Sequence, residues 1–417
     1  MDQEAVAYYI FVMTDADSPL LTRRRILALS AGGLASLASM KANAQSSDFQ
    51  VFLRSLRADA RAAGVSDATF ASVIEGLTLD PGPVASSRKQ SEFSRPFWDY
   101  VNGAVSAGRL SAGRAATQRA AADFAWIERN LGVGKQVVAG IWGLESGFGA
   151  STGDKDVLRS TASLAFSGTR ADFYRREFIA ALKILEEGHI PRQHMLGSWA
   201  GAMGQTQFIP TSFLKYAVDA DGDGRKDIWG STRDALASAA NHLKLDGWIS
   251  GLPWGFEVVL PAQFDWTFGD RTARHPFATW SKLGVKAVAG EMPRSGGAGL
   301  FLPAGINGPA LLITDNFEVI REYNTSDSYA VGVGHLGDRI FGGPAFQRPW
   351  PTKEPQLSNA EIAQLQRLLQ AKGHPMGTID GRIGKGTRKA VQAVQKGFGM
   401  VPDGHPSPAV LARLRGA

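Results

Sequence analysis

The strongest constraint on the fold of this chain is the helical periodicity in its first half. Between residues 45 and 250, apolar residues recur at the spacing that places them on one face of an α-helix. This spacing predicts helices over six segments: Phe49 to Ala63, Asp67 to Gly76, Ala115 to Leu131, Gly134 to Gly147, Asp172 to Gly188 and Arg233 to Gly247. Because each helix must bury its apolar face against another element, the region predicts a mainly helical domain.

Residues 251–316 differ in composition from the helical region. They are richer in Gly and Pro, and they contain short apolar runs bounded by turn residues. Runs of this kind predict β-strands, here Phe256 to Leu260, Gly299 to Pro303 and Ala310 to Thr314. Helical spacing returns from Phe317 to Ile340. The predicted fold class is therefore mainly α, of the α+β kind, with a small β-containing subdomain.

A cluster of Pro and Gly predicts a domain boundary near residue 350. Within fourteen residues the chain contains Gly342, Gly343, Pro344, Pro349, Pro351 and Pro355. This density is typical of a stiff, extended linker. We therefore predict one domain over residues 45–343, a linker over residues 344–356 and a second domain over residues 357–417.

Residues 357–417 contain the signals for three short helices. Ser358 and Glu361 form the pattern of a capping box. Thr387 can cap a second helix, and Ser407 before a proline opens a third. The segment carries nine Lys and Arg against three Asp and Glu, which equals the +6 of the whole chain. The segment lacks carboxylate or histidine clusters suited to catalysis. Its positive charge predicts a module that binds anionic partners, and a three-helix bundle without a ligand is the alternative.

Residues 1–44 have the pattern of a secretory signal peptide. Thr22-Arg23-Arg24-Arg25 precedes an apolar run from Ile26 to Ala38, and Ala42-Asn43-Ala44 supplies the small residues of a cleavage site. The paired arginines resemble a twin-arginine signal, and Met13 is an alternative start. The run is too short and too polar to span a bilayer as a helix. The alternative to a signal peptide is an amphipathic N-terminal helix. The chain has no Cys, which excludes disulfides, and we expect a soluble exported protein.

The segment from Ile141 to Gly149 contains the first candidate catalytic residue. At helical spacing, Glu145 lies on the flank of an apolar stripe, near the C-terminal end of its helix. Burial beside Trp142 and Phe148 is expected to raise the pKa of this carboxyl group, and the negative end of the helix dipole acts in the same direction. A carboxyl that stays protonated near neutral pH suits a general acid. The alternative is a structural Glu paired with an Arg.

A second cluster combines small residues, amides and aromatic residues. It reads Gly-Ser-Trp-Ala-Gly-Ala-Met-Gly-Gln-Thr-Gln-Phe-Ile-Pro from Gly197 to Pro210. Small residues let a backbone approach a ligand closely, and the amides of Gln205 and Gln207 can bind sugar hydroxyl and N-acetyl groups. A tight helix–helix crossing would explain the small residues, but it does not require the two glutamines.

Three motifs together resemble the lytic murein transglycosylases, and the B-type family in particular, over roughly residues 50–340. They are Glu145-Ser146-Gly147-Phe148-Gly149, the run Gly201-Ala202-Met203-Gly204-x-x-Gln207-Phe208-x-Pro210 and the later Tyr323-Asn324. The resemblance implies a lysozyme-like helical catalytic domain with an inserted subdomain, which cleaves the MurNAc–GlcNAc β-1,4 bond of peptidoglycan. It implies Glu145 as the sole catalytic acid and base. The substrate-binding candidates are Ser198, Met203, Gln205, Gln207, Tyr323, Asn324 and, as the matching arginine, Arg170.

Residues 358–415 in turn resemble the peptidoglycan-binding module that is common in exported wall enzymes. The resemblance rests on the order of the helices and on Ile379-Asp380-Gly381, Gly384, Gly386-Thr387-Arg388 and Phe398. It implies a three-helix peptidoglycan-binding domain whose basic face meets the carboxylate-rich peptides and glycan mesh of the wall.

A single catalytic carboxylate would limit the chemistry. Most glycoside hydrolases use two carboxylates, about 5–9.5 Å apart. With one, the N-acetyl group of the substrate can stabilise the cationic centre. Glu145 would protonate the leaving oxygen and then accept the proton of the C6 hydroxyl, which gives a 1,6-anhydro end. Two alternatives stay open: a hydrolytic muramidase that uses Asp154 or Asp156 as the second carboxylate, and a non-catalytic wall-binding protein.

The acidic loop from Asp219 to Asp227 follows the start of a calcium-binding pattern. Carboxylates stand at positions 1, 3, 5 and 9 with Gly at position 6, but Gly230 occupies position 12, where a Glu is usual. The metal-binding candidates are Asp219, Asp221, Asp223, Arg225, Asp227 and, as the late ligand, Asp234. The alternative is a solvated Asp- and Gly-rich turn, and sodium could occupy the same oxygens.

His242 departs from the family pattern, which has a tyrosine near the sugar sites. We expect His242 to alter subsite preference and to leave the chemistry unchanged. No cofactor is expected for the reaction, and calcium would be structural. The expected partners are peptidoglycan glycan strands, with wall-synthesis proteins as further candidates and without nucleic acid or a membrane anchor. The overall expectation is a periplasmic monomer.

Overall fold

The computed structural model of the chain describes residues 46–89, 96–168 and 170–416. The predicted signal peptide lies outside these residues. The chain divides into two compact units. Unit 1 contains residues 96–148 and 240–416, and unit 2 contains residues 46–89, 149–168 and 170–239.

Helices dominate the described residues. In chain order they are α1 46–55, α2 Arg57–Ala62, α3 Asp67–Ile74, α4 Pro81–Lys89, α5 Phe97–Ala104, α6 Ala107–Arg119, α7 Ala121–Leu131, α8 Lys135–Ser146, α9 Val157–Phe166, α10 Ala171–Glu186, α11 Pro210–Tyr216, α12 Thr232–Leu245, α13 Phe277–Lys282, α14 Asp315–Tyr323, α15 Asp327–Ile340, α16 Asn359–Ala371, α17 Lys385–Gly397 and α18 Pro408–Arg415. Among these helices, none has both the length and the apolar character that crossing a bilayer requires.

Short strands complete the secondary structure. They are β1 Lys155–Asp156, β2 Leu196–Gly197, β3 Gly255–Val259, β4 His275–Pro276, β5 Lys286–Ala287, β6 Gly297–Phe301 and β7 Ala310–Ile313. The mainly α fold with small sheets is thus confirmed, and β3, β6 and β7 correspond to the three strands predicted from apolar runs.

Three of the predicted helical runs are broken in the structure. The run from Phe49 to Ala63 is divided between α1 and α2 at Leu56. The run from Ala115 to Leu131 is divided between α6 and α7 at Ala120. The run from Phe317 to Ile340 is divided between α14 and α15, because Asn324 is extended and Ser326 caps the next helix by accepting the N–H of Tyr329. The spacing of apolar residues alone does not reveal such a helix end when the apolar residues of the two successive helices continue the same periodicity.

Unit 1 contains a five-stranded sheet in the order β4-β6-β7-β3-β5. All of its strand pairs are antiparallel, and the central strand β7 is buried along its whole length. The sheet packs against Phe277 and Trp280 of α13, which are 1% and 0% exposed. This core explains why the Gly- and Pro-rich stretch after residue 250 folds as a compact subdomain.

Helices α8 and α15 cross in unit 1 at unusually short range. A Cβ atom on Gly140 of α8 would lie 2.1 Å from the carbonyl oxygen of Val333, and one on Gly337 of α15 would lie 2.0 Å from that of Gln136. Only glycine permits two backbones to approach this closely. The crossing brings the C-terminal half of α8 against the N-terminal half of α15.

Unit 2 is built around α9 and α10, with the N-terminal helices packed on them. The ring of Phe166 on α9 lies 5.4 Å from that of Phe49 and 5.5 Å from that of Phe52, measured between centroids. Glu177 of α10 accepts the backbone N–H and the hydroxyl of Thr211, at 2.9 and 2.8 Å, and so satisfies the first turn of α11.

The C-terminal module consists of α16, α17 and α18 around a common apolar core. The capping box of Ser358 and Glu361 is confirmed, as is the cap of Ser407 on α18. The predicted cap at Thr387 is wrong. Helix α17 begins after Gly384, which leaves Thr387 in the first turn, where it is buried and accepts a hydrogen bond from Gln366.

The Pro-rich segment 344–356 is bound to the rest of unit 1. Glu257 of β3 accepts the backbone N–H groups of Gln347 and Arg348, at 2.7 and 2.9 Å. The ring of Trp350 lies 5.8 Å from the ring of Phe97. The segment also contains a turn, in which the N–H of Glu354 donates to the carbonyl oxygen of Pro351 at 3.0 Å, so it is not extended along its whole length.

Candidate active site

Glu145 is the second-to-last residue of α8, and its side chain is 8% exposed. The helix ends abruptly because Gly147 and Phe148 both adopt left-handed backbone conformations, with φ of 59° and 64°. The Phe148 ring turns back against Trp142, 5.6 Å away between centroids. The hydroxyl of Tyr329 on α15 donates a hydrogen bond to Oε1 of Glu145 at 2.5 Å.

Burial changes the acidity of this carboxyl group. It raises the pKa of Glu145 to about 7, and the hydrogen bond from Tyr329 opposes that rise. The direction is the one predicted from the flanking aromatic residues. Within the described residues, no Lys or Arg forms a salt bridge with Glu145. The described part of the chain therefore does not contain the structural Glu–Arg pair that was the alternative. The side chain can carry its proton near neutral pH.

Tyr329 was not among the residues predicted for the site. Its side chain is 3% exposed, and burial, followed by the nearby Glu145 charge, raises its pKa well above the usual value, so it remains a hydrogen-bond donor. It lies 184 residues from Glu145 in the chain. The sequence places Tyr329 in the first turn of a capped helix, soon after Tyr323-Asn324. This pattern predicts where the helix begins, but it does not predict that Tyr329 contacts Glu145.

We expect Tyr329→Phe to shift the alkaline limb of the pH–activity profile upward. The lost hydrogen bond stabilised the ionised carboxylate, so the pKa of Glu145 should rise further, by about one unit for one charged hydrogen bond. The measurement is kcat/KM against pH on solubilised peptidoglycan, the substrate that the sequence motifs lead us to expect. Tyr216→Phe in unit 2 is the matched control and should leave the profile in place. An unshifted alkaline limb in Tyr329→Phe would contradict this role.

Three further predicted site residues lie in unit 1 with Glu145. The ring of His242 is tilted by 31° against that of Tyr323, with centroids 4.6 Å apart, and its Nε2 lies 2.9 Å from Oδ2 of Asp246. Asn324 is 6% exposed, and its Oδ1 accepts the N–H of Ser326 at 3.2 Å. Tyr323 also acts electrostatically on Tyr329. The structure therefore brings the tyrosine, the asparagine and the histidine together around the start of α15.

The remaining polar candidates form a loop in unit 2. Gln207 has φ of 52°, and its Nε2 donates to the carbonyl oxygens of Thr152 and Gly204, at 3.0 and 2.9 Å. Both amide hydrogens are thereby used, and among the described residues no donor pairs with its Oε1. Nε2 of Gln205 donates to the Trp229 carbonyl at 3.3 Å. The loop thus holds both amides in fixed orientations.

Ser198 and Met203 shape the same loop from inside. The hydroxyl of Ser198 accepts the backbone N–H groups of Ala200 and Ala202, at 3.3 and 3.1 Å, and closes a turn. Met203 is 0% exposed, and its backbone exchanges two hydrogen bonds with Phe208. The Met203 side chain therefore packs inside the loop and does not face solvent in this structure.

Backbone strain coincides with the predicted motifs. Of the described residues other than glycine, those with positive φ are Phe148, Arg170 and Gln207. Arg170 precedes α10 at φ of 51°, and its exposed guanidinium lies 4.2 Å from the centroid of Phe173. Left-handed non-glycine residues cost about 1–3 kcal/mol each and tend to occur at functional sites. All three belong to segments that the sequence identified as candidates.

The acidic loop of unit 2 places three carboxylates side by side. Oxygens of Asp219, Asp221 and Asp223 lie within 4.8 Å of one another. Asp234 is 0% exposed and accepts the backbone N–H groups of Ala220, Asp221 and Asp227, at 2.8, 3.2 and 2.9 Å. Its carboxylate therefore ties the loop to α12.

The other two metal-binding candidates make contacts of their own. Oδ1 of Asp227 accepts the N–H groups of Trp229 and Gly230, at 3.0 and 2.7 Å. Arg225 forms a salt bridge of 2.9 Å with Asp223. The grouped carboxylates are thus those of loop positions 1, 3 and 5, and the later acidic residues hold the backbone around them.

Comparison with known proteins relates these features to characterised families. Residues 48–338 match the family described as "Transglycosylase SLT domain", and residues 358–414 match "Putative peptidoglycan binding domain". Membrane-bound lytic murein transglycosylase B of Escherichia coli is 31% identical over 216 residues, which are 50% of this chain and 57% of that protein. The similarity thus spans a little over half the length of that curated relative.

Solved structures extend the similarity. SltB3 from Pseudomonas aeruginosa, in complex with NAG-anhNAM-pentapeptide, is 46% identical with a TM-score of 0.82, over 88% of this chain and 99% of that one. SltB1 from the same species is 27% identical with a TM-score of 0.60, over 71% and 97%. Slt35 from Escherichia coli, in complex with calcium, is 23% identical with a TM-score of 0.55, over 65% and 87%, and shows the fold alone. The transglycosylase match covers most of the chain, and the chain therefore belongs to the lytic transglycosylase family and carries a C-terminal peptidoglycan-binding domain.

Proposed function

We propose that this protein cleaves the MurNAc–GlcNAc β-1,4 bond of peptidoglycan and leaves 1,6-anhydro-MurNAc ends. The observation that carries the proposal is the Glu145 carboxyl, which is almost fully buried, has a pKa of about 7 and has a neutral tyrosine as its hydrogen-bond partner. The relative SltB3 is described in complex with an anhydro-sugar peptide, which supports an anhydro product here.

One residue would serve both proton transfers. The protonated Glu145 donates to the glycosidic oxygen as the bond to C1 breaks, and the substrate N-acetyl group stabilises the cationic centre. The ionised Glu145 then accepts the proton of the C6 hydroxyl, which attacks C1. Tyr329 keeps its hydrogen bond to Oε1 throughout and stabilises the ionised form between the two steps. Because the nucleophile belongs to the same sugar, its high effective concentration replaces that of water.

The polar residues around these motifs are proposed to bind the sugars. Oε1 of Gln207 would accept an N–H or hydroxyl, since its Nε2 is already engaged. The paired rings of Tyr323 and His242 offer a flat face for a pyranose ring, so His242 would influence which sugar or peptide is preferred. Ser198, Gln205 and Arg170 of unit 2 and Asn324 of unit 1 are proposed to bind sugars as well, and Met203 would contribute by supporting the loop of unit 2.

The muramidase alternative requires a second carboxylate, and both candidates are engaged elsewhere in unit 2. Oδ1 of Asp156 accepts the N–H of Arg159 at the start of α9, and its Oδ2 forms a salt bridge with Arg192 at 2.5 Å. The Asp154 side chain is 83% exposed and pairs with Lys155. Neither residue is held in a desolvated environment of the kind that surrounds Glu145.

The product of digestion distinguishes the two reactions. We expect mass spectrometry of muropeptides released from purified sacculi to show anhydro ends, which are lighter by one water than hydrolysed ends. A digest in ¹⁸O-labelled water provides the control, because a transglycosylase incorporates no label at the new end. Reducing, ¹⁸O-labelled ends would overturn the proposal in favour of a muramidase.

The C-terminal module is proposed to bind the wall itself. The match to a peptidoglycan-binding family and the module's positive charge both support this role. Export to the periplasm, by the twin-arginine route, is proposed on the pattern of residues 1–44. A soluble monomer that acts on glycan strands is the resulting proposal for the mature protein.

We further propose that the acidic loop binds a structural cation, calcium by preference. Oxygen ligands from closely spaced aspartates fit calcium, and Asp219, Asp221 and Asp223 supply them. The salt bridge from Arg225 to Asp223 and the absence of a Glu at Gly230 weaken such a site, so the affinity should be low.

Calcium removal is expected to lower the melting temperature of the protein. At calcium a hundred times above its dissociation constant, binding to the folded state alone would add about 2.7 kcal/mol of stability. The measurement is thermal melting in EGTA and in millimolar calcium, with Asp221→Asn as the variant whose melting should no longer respond. A melting temperature that is equal in both conditions would remove the calcium proposal and leave a solvated turn.

A further inference from the structure

The C-terminal module makes one contact that a solvated binding domain does not need. Arg388 of α17 is 8% exposed, and its guanidinium donates to the carbonyl oxygens of Leu302 and Pro303, at 3.2 and 3.1 Å. The same guanidinium lies 5.1 Å from the centroid of Phe301 at the end of β6. Its two terminal nitrogens are thus paired with backbone carbonyls, whereas its buried Nε has no hydrogen-bond partner among the described residues. The paired donors join the module to the sheet of unit 1.

A second arginine contacts the same ring from within the sheet subdomain. The guanidinium of Arg271 is 4.4 Å from the centroid of Phe301, and Arg271 is 7% exposed. It forms a bidentate salt bridge with Asp327, with Nη1–Oδ2 at 2.6 Å and Nη2–Oδ1 at 3.2 Å. Arg321 also contacts Asp327, with Nε–Oδ1 at 2.8 Å. Phe301 therefore connects the module's arginine to the one that holds Asp327.

A parallel connection runs through Glu318 of α14. Lys385, the first residue of α17, pairs with Oε2 of Glu318 at 2.6 Å, and Arg321 pairs with the same oxygen at 2.9 Å. A lysine at a helix N-terminus is unfavourable for the helix dipole, whereas a carboxylate there is favourable. The Glu318–Lys385 pair therefore stabilises the start of α17 only while the module is docked. We call Arg271, Glu318, Arg321, Asp327 and Lys385 the docking network.

The docking network ends at the helix turn that carries the partner of Glu145. Asp327 is the first residue of α15, and Tyr329 stands two residues later. Asp327 forms salt bridges with Arg271 and Arg321. Its negative charge also interacts favourably with the positive, N-terminal end of the α15 dipole. The position of that turn determines where the Tyr329 hydroxyl lies, and so its hydrogen bond to Glu145.

We propose that the C-terminal module positions the catalytic carboxyl of this enzyme. Its contacts with Phe301 and Glu318 hold, through Arg271 and Asp327, the first turn of α15 and the Tyr329 hydroxyl against Glu145. The proposal rests on the proposed function of Glu145. It goes beyond that function because the C-terminal module would then affect the rate of cleavage even for a substrate that the module does not bind. Arg388 and Arg271 are positioning residues in this account.

The test uses the full chain and a soluble substrate of two GlcNAc–MurNAc peptide units. Arg388→Leu removes two donors and the charge over Phe301. We expect kcat to fall by about 2- to 30-fold with KM unchanged, which is the usual range for coupling through packed networks. Arg388→Lys retains the charge and should recover part of the loss. Arg129→Leu removes an exposed arginine from α7 and should match the wild type.

A double-mutant cycle separates positioning from a general loss of structure. In a Tyr329→Phe background, Arg388→Leu should lower kcat less than in the wild type, because the contact through which it acts is already gone. Hydrogen exchange at residues 324–331 should be faster in Arg388→Leu. If Arg388→Leu does not fold, Asp327→Asn replaces it in the same cycle.

Two results would overturn the proposal. One is a folded Arg388→Leu protein with wild-type kcat, and the other is an equal loss in both backgrounds. Failure of the proposed function looks different, because the wild type would then release no anhydro products or Glu145→Gln would remain active. An active wild type, an inactive Glu145→Gln and an unaffected Arg388→Leu together reject only the positioning role.

Discussion

Glu145→Gln is expected to lower the release of anhydro-muropeptides by about 10³- to 10⁴-fold, since a general acid or base contributes 10²- to 10⁴-fold and Glu145 is proposed to supply both functions. The amide has nearly the shape of the carboxyl, and it can still accept the hydrogen bond from Tyr329. It cannot release a proton near neutral pH. The measurement is kcat on solubilised peptidoglycan, with Glu75→Gln on the surface of unit 2 as the matched control.

The same variant should be at least as stable as the wild type, which separates chemistry from folding. The folded pKa of Glu145, about 7, is above its unfolded value of 4.5. The unfolded carboxyl therefore ionises first as the pH rises, so stability is lost between pH 4.5 and 7, by an amount on the order of 3 kcal/mol. Glutamine has no such cost, so the melting temperature at pH 8 should rise. Unchanged turnover in a folded Glu145→Gln protein would refute the assigned acid.

The sequence identified Glu145 because the physics of its pKa is local. The helix pattern, the flanking aromatic residues and the following glycines all lie within a few residues of the carboxyl. Its partner Tyr329 could not be found in this way, because the contact depends on how α8 and α15 cross. A helix stripe records which face is buried, but it does not record which residue of another helix meets it.

The C-terminal module shows the same division between local and tertiary information. Its caps at Ser358 and Ser407 were predictable, since each uses a side chain and a backbone N–H three residues apart. Arg388 is one of the nine basic residues that give the module its positive charge, but the structure buries it against Phe301. Composition gives the sign of the net charge of the module, but only the fold determines which charged side chains are buried in internal contacts.

The crossing of α8 and α15 is the tertiary feature on which this site depends, and Gly140→Ala should disrupt it. The added Cβ would lie 2.1 Å from the Val333 carbonyl oxygen, which is backbone and cannot rotate away. Overpacking of this kind typically costs 1–3 kcal/mol, and a backbone clash belongs at the upper end, so we expect about 3 kcal/mol of lost stability. The measurement is the shift in thermal and urea midpoints.

Gly108→Ala on α6 is the matched control, because its new Cβ would meet nothing within 4 Å. Replacing an exposed helical glycine with alanine should stabilise the protein by about 0.5–1 kcal/mol, which is opposite in sign to the expected effect at Gly140. Folded Gly140→Ala protein should also show a lower kcat, since helices forced apart separate Tyr329 from Glu145. Equal stability and equal turnover in the two variants would mean that the close crossing is not what holds the pair together.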